Sequence, residues 1–178
     1  GFGGFTELPE RDKPVICAVN GLAVGGGFEI ALAAEFVVAA EHAEFFLPET
    51  GLGLIPDAGV VRLPRILPPV VANEVLYAGR RMEATEAMRW GLVNAVAPAD
   101  QLMTVARDLA GRIVSAAPLA VGAVMAVDRS TGHLSLREAF DLLRSGDLQA
   151  YERMLVSEDS DEGPRAFTEK RDPAWKGR

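Results

Sequence analysis

Three consecutive glycines separate an apolar segment from a predicted helix in the stretch Asn20-Gly21-Leu22-Ala23-Val24-Gly25-Gly26-Gly27-Phe28-Glu29. Because glycine has no Cβ, the backbone at such a turn can approach a ligand closely. The first amide N–H groups of the following helix have no partner inside the helix, and the positive end of the helix dipole lies behind them. The stretch is therefore typical of a site for an anion or a developing oxyanion, although many glycine-rich turns are only tight turns.

The sequence predicts strands and short helices up to residue 98, and only helices after it. The apolar runs predict strands at residues 15–20, 36–40, 44–47 and 92–96, with loops at 1–14 and 48–56. Helices are predicted at 28–34, 68–78, 84–90, 101–115, 119–129, 136–156 and 159–170. Ser135 is expected to cap the helix at 136–156, with Glu138 as its capping-box partner. We predict an α/β core at residues 1–98 and a helical C-terminal subdomain at residues 99–178.

Composition and charge narrow the classes of function. The 178 residues are 49% hydrophobic and 24% charged, which is ordinary for a globular domain. The net charge of −7 gives no basic footprint, so we expect no nucleic-acid partner. No apolar run reaches the roughly 20 residues of a membrane span, and no signal-peptide pattern is present, so we expect no membrane partner and a cytoplasmic location.

Cysteine and histidine usage predicts neither a disulfide nor a metal site. Cys17 is the single cysteine, which excludes an internal disulfide. It lies in an apolar run, where a small buried side chain is a better interpretation than a nucleophile. His42 and His133 are far from each other and from other ligand types, so no metal site is expected.

Two glutamates could form an acid–base pair. Glu29 lies one turn inside the helix that follows the glycines, and Glu49 follows a strand in Leu47-Pro48-Glu49. Both have apolar neighbours in the sequence, which favours proton transfer by a carboxyl group. Solvent exposure is the usual alternative for a glutamate. Spacing alone does not show that the two side chains meet.

Residues 20–29 resemble the signature of the crotonase (enoyl-CoA hydratase/isomerase) superfamily, and the similarity covers essentially the whole chain. It continues at residues 47–49, 53–56, 62–64, 79–81, 90–94 and 162–171. The stretches 157–159, 171–173 and 175–178 are most similar to the carnitinyl-CoA dehydratase (crotonobetainyl-CoA hydratase) subgroup. The resemblance implies a ClpP/crotonase-like ββα spiral core followed by a helical oligomerisation subdomain. It also implies that an N-terminal part of the family fold is absent from this sequence.

The resemblance implies a hydro-lyase that adds or removes water across the α,β double bond of an acyl-CoA, with carnitinyl-CoA or crotonobetainyl-CoA as the substrate. By position, it places the catalytic carboxylates at Glu29 and Glu49 and one oxyanion-hole amide at Gly26. It implies further substrate contacts at Gly25, Phe28, Pro56, Phe167 and Lys170. No separate cofactor and no metal are implied, since coenzyme A is part of the substrate. The expected assembly is a homotrimer or a dimer of trimers.

Several alternatives stay open at this point. The closest alternative function is that of a generic enoyl-CoA hydratase or an enoyl-CoA isomerase. Family members that catalyse hydrolysis or dehalogenation are a further alternative, and these usually keep the oxyanion hole but move or lose one carboxylate. A non-catalytic scaffold or RNA-binding member is disfavoured by the acidic composition.

The family's second oxyanion amide comes from an upstream segment that this sequence lacks. A carnitinyl group also needs an aromatic or acidic pocket for its quaternary ammonium, and the sequence does not identify those residues.

Overall fold

The computed structural model describes residues 1–8 and 11–178, which form two compact units. The first unit comprises Gly1–Glu10 and Pro14–Ala110, and the second comprises Arg11–Lys13 and Gly111–Arg178. The units divide between Ala110 and Gly111, whereas the sequence predicts a domain boundary after residue 98, which stays a prediction. Part of the loop predicted at residues 1–14 lies outside the described residues, and the described part contains a short 3₁₀ turn at Phe2–Gly4.

The first unit contains two three-stranded sheets. Its strands are β1 (Ile16–Val19), β2 (Leu22–Val24), β3 (Phe36–Ala40), β4 (Glu44–Phe46), β5 (Met82–Glu83) and β6 (Ala95–Ala97). The first sheet has the order β1-β3-β6 and is parallel throughout. In the second sheet, of order β2-β4-β5, β2 and β4 are parallel and β5 is antiparallel to β4. The chain passes from the first sheet to the second at β1–β2 and again at β3–β4, so the same step repeats along the core.

In the described part of the chain, five helices accompany these strands, and one of them is not predicted from the sequence. They are α1 (Gly26–Ala33), α2 (Asp57–Ile66), α3 (Pro69–Ala78), α4 (Ala84–Arg89) and α5 (Leu102–Val114). The missed helix, α2, contains Gly59 and Pro64, both poor helix formers. The short strands β2 and β5 were also not predicted, because two or three residues carry too little periodicity to be recognised.

The core of the first unit explains the long apolar runs. Residues 37–40 of β3 are all buried, as expected for a central parallel strand covered on both faces. Phe28 and Phe45 are fully buried, and their ring centroids are 5.3 Å apart. Burying each such ring contributes about 2 kcal/mol relative to an exposed one. This packing fixes α1 against the second sheet and so positions the helix that follows the glycine turn.

The second unit is helical, with one correction to the prediction. Its helices are α6 (Pro118–Thr131), α7 (Leu136–Leu143), α8 (Gln149–Leu155) and α9 (Glu158–Glu169). The single helix predicted at 136–156 is wrong, because the chain breaks after Leu143 and Gly146 adopts φ +84°. The capping box is confirmed: the Glu138 amide donates to Ser135 Oγ, and the Ser135 amide donates to the Glu138 carboxylate.

Residues 172–178, called here the C-terminal tail, fold onto α9 through two buried carboxylates. Asp159 accepts hydrogen bonds from the amides of Lys176 (2.6 Å) and Gly177 (2.9 Å). Glu162 accepts one from the amide of Ala174 (2.8 Å). Hydrogen bonds from the guanidinium groups of Arg171 and Arg165 hold the pKa of Glu162 well below its usual range. The stretches most similar to the carnitinyl-CoA dehydratase subgroup therefore include those that secure this tail.

Among the described residues, no single helix has the length and apolar character needed to cross a membrane. Helices α5 and α6 reach the length and apolar composition of a membrane span only when they are counted together, and a bend of 100° separates them.

Candidate active site

The glycine turn leads from β2 directly into α1. Gly25 adopts φ +53°, a conformation that residues with a Cβ rarely adopt, and its amide donates to the carbonyl of Phe46. Its carbonyl accepts from the Glu29 amide (2.9 Å), which closes the first turn of α1. In the described part of the chain, the Gly26 amide has no hydrogen-bond acceptor. This amide is therefore available to a ligand, as the sequence predicts for the start of this helix.

Neither Gly25 nor Gly26 has space for a side chain. A Cβ on Gly25 would lie 2.5 Å from Oε1 of Glu49. A Cβ on Gly26 would lie 2.3 to 2.6 Å from three carbons of the Phe2 ring. The glycines thus let the Glu49 carboxylate and an aromatic ring approach the backbone at the turn, and any larger residue would displace them.

Glu29 is a buried carboxylate that backbone amides hold in place. Its side chain projects from α1, and the residue is 5% exposed. Oε1 accepts hydrogen bonds from the amides of Ala58 (2.8 Å) and Gly59 (2.9 Å). Both donors lie in the first turn of α2, where amides lack partners inside the helix and the helix dipole favours negative charge. The sequence does not predict these donors, because it does not predict α2.

Glu49 also lies beside the glycine turn. It begins a 3₁₀ turn, Glu49–Leu52, and two residues separate this turn from the end of β4. Its Oε2 atom is buried and has no hydrogen-bond partner among the described residues. A buried polar oxygen without a donor is costly and rare in folded proteins. Oε2 is therefore an unsatisfied hydrogen-bond acceptor beside the glycine turn.

These groups face one cavity of about 380 Å³ in the first unit. Four of the predicted site residues line it, namely Gly26, Glu29, Glu49 and Pro56. The remaining lining residues are Gly1, Phe2, Thr6, Glu7, Ile55, Asp57 and Ala58. The structure therefore brings together two carboxylates 20 positions apart in the sequence, beside a free backbone amide. That arrangement suits proton transfer next to a bound carbonyl oxygen.

Other predicted residues lie elsewhere. The Phe28 ring is fully buried in the core, so its placement does not support a contact with substrate. Phe167 and Lys170 belong to the second unit. Phe167 is 87% exposed, and Lys170 ends α9 in a left-handed conformation. Their predicted contact with substrate stays a prediction. Burial raises the pKa of the Cys17 thiol, which agrees with the interpretation of this residue as part of the packing.

Comparison with known proteins shows similarity along the whole chain. The family model described as enoyl-CoA hydratase/isomerase matches residues 2–178. Carnitinyl-CoA dehydratases of Citrobacter koseri and Salmonella agona are 55% identical over 179 residues, covering 100% of this chain and 69% of each relative.

Solved structures extend the similarity to the fold. The enoyl-CoA hydratase of Mycobacterium tuberculosis H37Rv matches with a TM-score of 0.90 and 36% identity, over 98% of this chain and 68% of that one. The enoyl-CoA hydratase of Bacillus anthracis matches with a TM-score of 0.87 and 40% identity, over 98% of this chain and 65% of that one. The crotonase-like fold class predicted from the sequence is confirmed.

Proposed function

Because the chain belongs to the enoyl-CoA hydratase/isomerase family, we propose that it is a hydro-lyase that adds water to, or removes water from, the α,β double bond of an acyl-CoA thioester. One observation carries this proposal: Glu29, Glu49 and the free amide of Gly26 face the same cavity. Water addition requires one proton to leave the water and another to reach the α-carbon. Two carboxyl groups beside one carbonyl-binding amide, one ionised and one protonated, meet that requirement, whereas double-bond migration can proceed with a single base.

The acyl group that we propose is carnitinyl, with crotonobetainyl as its dehydrated partner. The support comes from the relatives at 55% identity, which are named carnitinyl-CoA dehydratases. The solved structures named enoyl-CoA hydratases are less similar, at 36% and 40% identity. The carnitinyl group also agrees with the lining of the cavity, whose side chains are mostly acidic or apolar.

Catalysis begins with polarisation of the thioester carbonyl. Its oxygen accepts a hydrogen bond from the Gly26 amide at the positive end of α1. As charge develops on that oxygen during the reaction, the fixed amide stabilises the enolate-like state without reorganising. Removal of one such donor typically costs about 3–4 kcal/mol in the barrier. The family resemblance assigns the second donor to a segment upstream of this sequence.

Hydration then moves one water molecule onto the double bond. Glu29 accepts a proton from the attacking water, and the resulting hydroxide oxygen bonds to the β-carbon. The π electrons move onto the α-carbon and the carbonyl, and Glu49 delivers a proton to the α-carbon. Dehydration reverses each step, so the two carboxyl groups exchange acid and base roles. No electrons are gained or lost overall, so the reaction itself requires no redox cofactor.

Hydrogen bonds from two backbone amides give the Glu29 carboxylate a fixed orientation. Because Ala58 and Gly59 hold Oε1, the side chain cannot rotate freely, and Oε2 is the oxygen that can receive a proton from water. A carboxylate that is held in one orientation reacts faster with a bound water molecule than one that rotates freely. The unpartnered Oε2 of Glu49 supplies the second contact.

We also propose that the protein works as a homotrimer or a dimer of trimers. Large apolar side chains of the second unit are exposed, among them Val124, Leu136, Phe140 and Val156. Exposed apolar surface of this extent is typical of protein–protein contact. Symmetric association of identical chains is the commonest way to cover it.

A panel of enoyl-CoA thioesters tests the proposed function. The purified protein is incubated with crotonobetainyl-CoA and with crotonyl-CoA, and loss of the ultraviolet absorbance of the conjugated thioester is followed. We expect hydration, with a higher kcat/KM for crotonobetainyl-CoA. Turnover of neither substrate in either direction would contradict the proposal, and equal turnover of both would favour a generic enoyl-CoA hydratase.

A further inference from the structure

The cavity has more acidic side chains than the proposed proton transfers require. Glu29 and Glu49 perform the proton transfers proposed above, yet Glu7 and Asp57 line the same cavity. No lysine, arginine or histidine occurs among the described residues that line it. The lining therefore keeps a negative charge even when Glu49 holds the proton that hydration requires, and a negative potential attracts a cation and disfavours an anion. The phosphate groups of coenzyme A are therefore poorly suited to this end of the site.

The carboxylates are spread around the cavity instead of converging on a point. Within residues 1–8 and 11–178, no three histidine, cysteine, aspartate or glutamate side chains are placed to hold a metal ion. A compact divalent cation would require such convergence. A large cation with diffuse charge does not, because it interacts with several carboxylates at longer distances and with aromatic rings.

Two further lining residues suit an organic cation. The Phe2 ring lies against Gly26 and lines the cavity, and aromatic rings bind quaternary ammonium groups through cation–π attraction. Thr6 also lines the cavity and is 2% exposed, and its hydroxyl has no partner among the described residues. A buried hydroxyl without a partner is expected to bond a ligand or a bound water.

Asp57 is the best placed of the additional acids. The Glu7 side chain is 68% exposed and belongs to no helix or strand. For Asp57, the described residues provide no ion pair and no side-chain hydrogen bond. It begins α2 immediately before Ala58, whose amide holds Glu29, so its position relative to the catalytic carboxylate is fixed by the helix.

We infer that Asp57 is a specificity-determining residue that selects acyl-CoA substrates whose acyl chain ends in a quaternary ammonium group. This inference rests on the proposed function, since it assumes that the cavity receives the acyl chain. The structural alternative is that Asp57 only stabilises the N-terminus of α2 through the helix dipole. In that case its effect would be the same for every substrate.

A matched pair of substrates separates these two roles. The first is crotonobetainyl-CoA, and the second is its carbon isostere, in which a tert-butyl group replaces the trimethylammonium group. The two have nearly the same shape and differ in charge. The ratio of their kcat/KM values, cationic over neutral, measures the contribution of charge alone and cancels any general loss of activity.

We expect Asp57→Asn to lower this ratio about fivefold, the size of effect typical of a solvent-accessible charge pair. Asp57→Glu retains the charge and should keep the ratio within about twofold of wild type. Asp100→Asn makes the same change at an exposed position just before α5, outside the cavity, and should leave the ratio unchanged.

An unchanged ratio in Asp57→Asn, including equal losses for both substrates, would overturn the inference and leave Asp57 as a helix-stabilising residue. Hydration of the neutral substrate alone by the wild-type protein would also overturn it, with the proposed hydro-lyase activity intact. If the wild-type protein hydrated neither substrate, the proposed function itself would fail, and the inference would fail with it.

Discussion

Backbone amides, and not charged side chains, hold Glu29, the carboxylate that we propose as one of the two catalytic acids. Ala58 and Gly59 donate to one oxygen at 2.8 and 2.9 Å. An amide fixes a carboxylate without the proton exchange that a lysine or histidine partner would allow. Glu49 has the complementary arrangement, with one buried oxygen left without a donor. The two acids differ in environment, which is the usual basis for different acid and base roles.

Replacement of either glutamate by glutamine tests the assignment at the level of single residues. Glu29→Gln keeps an oxygen that accepts from Ala58 and Gly59, so the fold should be preserved while the proton acceptor is lost. We expect kcat for hydration to fall about 10² to 10⁴-fold in Glu29→Gln and in Glu49→Gln, the usual effect of losing an acid–base group. Stopped-flow or steady-state hydration assays measure this directly.

Glu41→Gln serves as the control, since Glu41 is exposed and lies outside the cavity. It should retain wild-type kcat and the same thermal unfolding midpoint as the two active-site variants. Hydration rates within about threefold of wild type in both active-site variants would remove the basis for the proposed chemistry.

The reactivity of Cys17 tests the interpretation of this residue as part of the packing. Burial raises the pKa of its thiol, so the reactive thiolate is scarce at neutral pH. We expect iodoacetamide to modify Cys17 slowly in the native protein at pH 7, and faster after denaturation or above pH 9. Peptide mass spectrometry measures the extent of modification. Rapid alkylation at pH 7 with loss of activity would instead indicate a reactive cysteine near the site.

The glycine turn and the helix that follows it are the elements most readily predicted from the sequence. Three adjacent glycines before an apolar helix locate the free amide of Gly26, and Glu29 follows one turn later. Glu49 is different, because its meeting with Glu29 depends on the parallel pairing of β2 with β4. Local patterns do not encode that pairing, so only the family resemblance predicted it.

Two failures of prediction have physical causes. Helix α2 was missed because Gly59 and Pro64 disfavour helix locally, yet its first amides are satisfied by Glu29 and its Leu63 is fully buried. Tertiary contacts therefore override propensity there. The predicted helix at 136–156 is split because Gly146 adopts a left-handed conformation that the apolar spacing does not reveal.

The attachment of the C-terminal tail to α9 predicts a specific pH dependence. The pKa of Glu162 is lowered in the folded protein by Arg171 and Arg165, from an ordinary value near 4.5. Its contribution to stability is therefore fully present above about pH 4.5 and declines as the pH falls below that value. We expect Glu162→Gln to lower the unfolding midpoint clearly at pH 7, and by less at pH 3.

Glu169→Gln is a suitable comparison. Glu169 lies on α9 with Glu162 and also pairs with Arg171, but its side chain is half exposed. Its effect at pH 7 should be smaller than that of Glu162→Gln, since exposed pairs contribute little. Thermal unfolding followed by circular dichroism at the two pH values gives both comparisons. Equal destabilisation by Glu162→Gln at pH 7 and pH 3 would show that its charge does not hold the tail.

At the scale of the whole molecule, the exposed apolar side chains of the second unit predict association. We expect light scattering coupled to size exclusion to give the mass of three or six chains at micromolar concentration. Apolar contacts strengthen with salt, whereas ion pairs weaken, so the assembly should persist at high ionic strength. A protein that remained monomeric throughout this range would contradict the proposed assembly.

Incorporation of heavy oxygen distinguishes water addition from double-bond migration in a single experiment. The protein is incubated with crotonobetainyl-CoA in water labelled with oxygen-18, and the acyl-CoA product is analysed by mass spectrometry. If Glu29 and Glu49 act together in hydration, the product gains the mass of one labelled water molecule, and neither glutamine variant forms it at a comparable rate. A product of unchanged mass with a shifted double bond would instead identify an isomerase, and the account of the two carboxylates would be wrong.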